Sequence, residues 1–164
     1  MEKGQSEIEA IKIAMGAEMK AHEKYTQAAQ KSTDPKGKDM FSQLAAFELS
    51  HYNHLKLLLD SLSDGKGWTE YSGTQFSEIP EFVKGEDLFL KANETKDDIL
   101  SILSKAIEDE KKACKYYTKL AEETADPAGK EMFKKLAEEE KLHTKILNDQ
   151  WYSLNNQGIW IWGD

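Results

Sequence analysis

Cysteine is almost missing from this chain: its 164 residues contain one, Cys114. A single thiol excludes an intramolecular disulfide framework, and it excludes any four-cysteine zinc or iron site within these residues. It also points to a reducing, cytoplasmic compartment. Long apolar runs are missing too. No stretch approaches the roughly 18 residues of a membrane span, and the opening MEKGQSEIEA lacks the apolar stretch of a signal peptide. Positive charge is in deficit, with 22 basic against 30 acidic residues and a net charge of −8. That balance argues against nucleic acid or an anionic membrane as a main partner. What is present, 39% hydrophobic and 32% charged residues, suits one helix-rich globular domain over 1–164 with a substantial core.

The chain states one pattern twice. Residues 18–51 and 110–143 align without a gap at an offset of 92, and 16 of the 34 positions are identical, where composition alone would give about two. The shared skeleton is Glu18, Tyr25, Asp34-Pro35, Phe41, Leu44-Ala45, Glu48 and His51, then Glu110, Tyr117, Asp126-Pro127, Phe133, Leu136-Ala137, Glu140 and His143. Each copy holds one lone Glu and one Glu-x-x-His.

Helical periodicity predicts four long helices. The first hairpin covers 6–62, with Ile8, Ile11, Met15, Ala21, Tyr25 and Ala28 on one stripe and Phe41, Leu44, Ala45, Leu55, Leu58 and Leu62 on the next. The second covers 95–150, with Ile99, Ile102, Leu103, Ala106, Ala113, Tyr117 and Leu120, then Phe133, Leu136, Ala137 and Leu147. Asp-Pro at 34–35 and 126–127 reads as an N-cap followed by proline at the first helical position; the spacing of Thr95 to Asp98 suits a local cap for the third helix. The turns within hairpins are short, so their helices pair antiparallel. A connection over 63–93 then serves as a crossover running the length of a four-helix bundle, with a short helix expected near Pro80 to Lys91. The tail 151–164, with Trp151, Tyr152, Ile159, Trp160, Ile161 and Trp162, is too apolar to float free and is expected to pack along the bundle or against a second subunit.

The chemistry sits on the apolar stripes. Glu18 lies three after Met15 and seven before Tyr25; Glu48 follows Leu44 by four, and His51 precedes Leu55 by four. Glu110, Glu140 and His143 repeat the placement. Four unpaired buried carboxylates would not fold as anions, so they need protons, paired cations or metal. No basic residue repeats on these stripes, whereas two divalent ions would cancel the four negative charges. Glu and His at i and i+3 share a helix face. Four carboxylates and two imidazoles suit iron or manganese better than structural zinc.

At these residues the sequence resembles the rubrerythrin branch of the ferritin-like di-iron carboxylate proteins, over roughly residues 5 to 150. The resemblance implies an all-α ferritin-like four-helix bundle with two iron ions. In it, Glu48 and Glu140 bridge the ions, Glu18 with His51 completes one position, Glu110 with His143 completes the other, and Tyr25 and Tyr117 hydrogen-bond the ligand carboxylates. Two departures stand out. Typical rubrerythrins append a rubredoxin-like four-cysteine domain that feeds electrons to the di-iron pair; with one cysteine, this chain is expected to draw on a separate electron donor, such as a rubredoxin-like protein. They also carry a further ligating Glu on the third helix, where this chain has Ala113 and Cys114.

Other residues read more plainly. His22 and Cys114 occupy equivalent places, four residues after Glu18 and Glu110, and are expected to be a boundary histidine and a small buried apolar residue rather than partners of the metals. His54 reads as bundle-edge. Glu138 and Glu139 read as solvated charge, pointing away from the Glu140 face. The leading functional expectation is a non-haem di-iron oxidoreductase that reduces hydrogen peroxide, as a homodimer. The alternative is an iron-handling ferroxidase using dioxygen; a third is a manganese-containing catalase-like or merely structural metal site.

Overall fold

The computed structural model describes residues 3–74 and 96–163. They form four helices and no strand: α1 (Lys3–Lys31), α2 (Pro35–Ser63), α3 (Lys96–Glu123) and α4 (Pro127–Gln157). The Asp-Pro starts behave as their chemistry demands. Asp34 and Asp126 are extended, and each side chain accepts a hydrogen bond from a backbone N–H in the first turn, that of Lys36 or Ala128. Proline follows at the first helical position, where no donor is lost.

Helices α1 and α2 pack as one pair and α3 and α4 as the other. Cross-pair bonds fix the remaining directions. Tyr25 reaches Glu110 while Tyr117 reaches Glu18, so α1 and α3 are antiparallel. His143 reaches Glu48 while His51 reaches Glu139, so α2 and α4 are antiparallel. Helices α2 and α3 therefore run parallel, which places the end of one and the start of the other at opposite ends of an all-α, ferritin-like four-helix bundle. The expected short helix near Pro80 to Lys91 and the Thr95 cap lie outside the described residues.

The core has two apolar clusters with a polar layer between them. One end is filled by Ile11, Leu55, Leu58, Met132, Phe133 and Leu136, the other by Phe41, Leu44, Leu103, Leu147 and Trp160. On every helix the acidic or Glu-x-x-His positions fall between residues of the two clusters.

The internal repeat continues further than residues 51 and 143. Trp68, just beyond α2, lies edge-on to Phe133 with centroids 5.7 Å apart; Trp160, just beyond α4, lies edge-on to Phe41 at 5.9 Å. Each tryptophan covers a glycine of the opposite hairpin, Gly129 and Gly37, where a Cβ would stand 3.0 Å or less from the indole. Ser61 and Ser153 hydroxyls donate to the carbonyls of Gly67 and Ile159, both at 2.7 Å. All these pairs keep the offset of 92. The two halves thus lock each other by exchanging a tryptophan.

One sequence-derived boundary needs correction. Helix α4 runs to Gln157 rather than 150, because Trp151 and Leu154 continue the stripe of Leu147 and pack on the same cluster. It stops at Gly158, whose φ of 70° closes the left-handed cap. The remaining tail packs on the bundle. Trp160 is buried, the Trp162 indole N–H donates to Asp39 at 2.8 Å, and the Ile161 amide donates to Gln150 at 2.9 Å.

Candidate metal centre

The polar layer gathers all six residues of the doubled motif. Glu18, Glu48, His51, Glu110, Glu140 and His143 are each at most 3% exposed. Their donor atoms form two groups of four, Glu18–Glu48–His51–Glu140 and Glu48–Glu110–Glu140–His143, with the atoms of each group within 4.8 Å of one another. Glu48 and Glu140 belong to both groups. Both imidazoles present Nδ1 to the layer. His51 Nδ1 lies 2.9 Å from Glu140, and 3.4 Å from both Glu18 and Glu48. His143 Nδ1 lies 2.8 Å from Glu48 and 3.6 Å from both Glu110 and Glu140.

The tyrosines are exchanged between halves. Tyr25 donates to Glu110 and Tyr117 to Glu18, both at 2.5 Å. Burial first, then the neighbouring carboxylates, push both phenols well above their ordinary range, so they stay donors.

Electrostatics divides the four carboxylates. Burial raises all of them, but for Glu18 it is outweighed by the attraction of His51 and bonds from neighbours including Tyr117. Glu110 is likewise brought down to about 2 by bonds and attraction from Glu140, His143 and Tyr25. Glu48 and Glu140 sit between the others, and burial plus carboxylate repulsion drive them up, Glu140 to about 8. For both histidines burial opposes the charge but the carboxylates more than offset it, and both titrate well above the usual imidazole value. Without cations, then, these shifts favour protons on the two central carboxylates and the two imidazoles, which offset the layer's negative charge.

Metal ions fit this donor set better than protons do. Glu18 Oε2, Glu110 Oε2, Glu140 Oε1 and His51 Nδ1 are buried without a hydrogen bond among the described residues. His51 Nδ1 and Glu140 Oε1 are 2.9 Å apart yet too poorly aligned to bond. Orphaned buried acceptors are costly, and a shared cation satisfies them together. Oxygen-rich donors with two imidazoles match iron or manganese.

Other expectations resolve one by one. His22 donates from Nδ1 to the Ala45 carbonyl at 2.7 Å, tying α1 to α2. Cys114 is half-buried and packs against the first apolar cluster. His54 is half-buried, its ring 4.9 Å from that of Tyr71. Glu139 corrects the reading of solvated charge. Its carboxylate accepts from His51 Nε2 at 2.7 Å, from the Tyr71 hydroxyl at 2.5 Å and from the Thr74 amide at 2.6 Å. Burial works against its charge, but these bonds and the attraction of His51 more than offset it, and its carboxyl falls below the usual range. The available signal was a break in the repeat. Position 47, equivalent to 139, is phenylalanine, and Phe47 is fully buried with its ring edge-on to His143 at 4.3 Å.

A family model described as Rubrerythrin matches residues 1–59 and 101–159. No curated protein and no solved structure gives a significant match. The two matched stretches together span most of the chain and contain all six residues of the polar layer, and no described helix is long and apolar enough to cross a membrane. With its doubled Glu and Glu-x-x-His set, its buried Glu/His layer and this match, the chain belongs to the rubrerythrin family.

Proposed function

We propose that the six residues hold two iron ions and that the protein reduces hydrogen peroxide to water with electrons from a separate donor. The observation that carries this reading is the pair of four-residue groups sharing Glu48 and Glu140. Shared carboxylates are what a bridged pair needs, with Glu18 and His51 completing one position and Glu110 and His143 the other. Two irons there would supply two electrons and stabilise charge on a departing oxygen.

The chain's own residues supply the rest. Tyr25 and Tyr117 hold one oxygen each of Glu110 and Glu18, leaving the second oxygen of each free to turn toward a metal. Phe47 stands nearly perpendicular to both imidazoles, its ring centroid 5.0 Å from that of His51 and 4.3 Å from that of His143. With the apolar clusters above and below, it keeps bulk water from the layer. That exclusion strengthens every electrostatic contact inside.

The near-symmetric ligand set favours a second reading. No additional acidic residue joins the two groups among the described residues, and Ala113 and Cys114 stand where rubrerythrins carry a further Glu. A ferroxidase using dioxygen would need no such residue. Stopped-flow mixing of the anaerobically iron-loaded protein with peroxide, and separately with dioxygen, decides between them. Faster oxidation by peroxide supports the peroxidase; much faster oxidation by dioxygen removes that reading. Size-exclusion separates a dimeric enzyme from a large storage shell. Metal analysis of protein purified without oxygen tests the premise, which zinc alone or no metal would sink.

A further inference from the structure

The segment that follows α2 is shaped around one carboxylate. Glu139, on α4, accepts the His51 Nε2–H and the Tyr71 hydroxyl on one oxygen, at 2.7 and 2.5 Å, and the Thr74 amide on the other at 2.6 Å. Gly73 has a φ of 100°, and a Cβ there would stand 3.0 Å from the oxygen that receives the Thr74 amide. Glycine adopts that backbone readily and other residues rarely do, so this turn lets the amide close on Glu139. Tyr71 and Thr74 are both buried. Thr74 Oγ1 lies 2.9 Å from the Tyr71 hydroxyl and 3.1 Å from Ser50 Oγ, which anchors the segment back to α2. The Tyr71 ring stands nearly perpendicular to that of His51, with centroids 6.3 Å apart. Tyr71, Gly73 and Thr74 lie between the two stretches matched by the family model.

We infer that Tyr71 is a positioning residue for the metal centre: acting through Glu139, it holds the His51 ring with Nδ1 turned to the acidic layer. This rests on the metal reading above. With its Nε2–H held by a carboxylate, the ring keeps its other nitrogen toward Glu18, Glu48 and Glu140. Glu139 can fix that direction only if it is fixed itself, because a glutamate side chain has much rotamer freedom to lose. The Tyr71 hydroxyl and the Thr74 amide supply the restraint, one on each oxygen. Partners behind a ligating imidazole set its orientation and basicity. The segment after α2 is thus part of the metal centre as well as of the connection between hairpins.

Zinc titration of the whole chain by calorimetry tests this. Y71F keeps the ring and removes the hydroxyl. It should weaken zinc binding by about 10-fold, the lower end of the cost of losing such a partner; unchanged affinity overturns the proposal. Because Tyr71 acts through Glu139, Y71F should cost almost nothing more in an E139A background. Equal losses in both backgrounds would show a merely structural role and overturn it. G73A, which displaces the Thr74 amide, should weaken binding as well. G65A imposes the same kind of backbone strain in open space and should leave affinity unchanged; equal losses in these two variants overturn the proposal. A measurement on the unmutated zinc-loaded protein guards against misfolding of the variants. Side-chain nitrogen spectra should show His51 protonated on Nε2, and zinc bound to Nε2 overturns the proposal. An unmutated chain that binds no zinc sinks the metal reading, and this proposal with it, whereas unchanged affinity in Y71F sinks this proposal alone.

Discussion

Tyr25 of the first hairpin donates its hydroxyl to Glu110 of the second at 2.5 Å, and Tyr117 returns the bond to Glu18 at the same distance. Each lone glutamate takes its tyrosine bond from the opposite hairpin. The crossed bonds tie the geometry of the acidic layer to the docking of the two hairpins.

Removing one of these hydroxyls should therefore affect both stability and metal. Y25F leaves Glu110 without its donor in a buried site, at a cost of about 1–3 kcal/mol. It should also weaken metal binding by about 10-fold. Y117F should act alike through Glu18. Chemical denaturation and metal titration of the single and double variants check this; unchanged metal affinity in both singles would refute the orienting role.

The metal-free protein should lose stability as pH rises from about 5 to 8. Glu140 is raised from 4.5 to about 8 and Glu48 moves the same way. A raised carboxyl stabilises fully below its unfolded value, and that contribution fades as pH climbs toward the folded one. His51 and His143, also raised, add a loss above about 6.5. Glu18 and Glu110, shifted down, oppose this only below 4.5. Metal should reverse the trend, because binding displaces these protons. Calorimetric melting with and without chelator across this range gives the sign.

E48Q and E140Q should separate stability from function. Each replaces a carboxyl that the metal-free layer must keep protonated with a neutral amide of the same size. The metal-free variants should melt at or above the parent at pH 8, yet fail to bind two ions. A variant that still binds two irons would show that the altered residue does not bridge.

The exchanged tryptophans predict a packing effect far from the centre. A methyl group at Gly37 would stand 2.6 Å from the Trp160 indole. G37A should cost about 1–3 kcal/mol by overpacking, as should G129A beside Trp68 and Thr124. G16A meets open space and serves as the control. Urea midpoints for the three variants order the effects.

Four helices, their Asp-Pro starts and all six acidic-layer residues were legible in the chain, because helical spacing fixes which side chains share a face and a charged residue on an apolar face demands a partner. The match of Trp68 with Trp160 at the same offset was not read from the chain, because identities thin out beyond 51 and 143. The end of α4 was less legible, since Trp151 and Leu154 continue a stripe that an aromatic tail obscures.

Glu139 marks the boundary of what one chain reveals about itself. Its neighbour in sequence, Glu140, turns inward by periodicity alone. Whether Glu139 meets water or a histidine depends on residues 51, 71 and 74, brought to it from another helix and the segment beyond it. Local spacing determined which six side chains line the polar layer, because a helix repeats every 3.6 residues wherever it sits. The surroundings of His51 were decided by tertiary structure, because those contacts exist only once the hairpins and the segment after α2 have packed together.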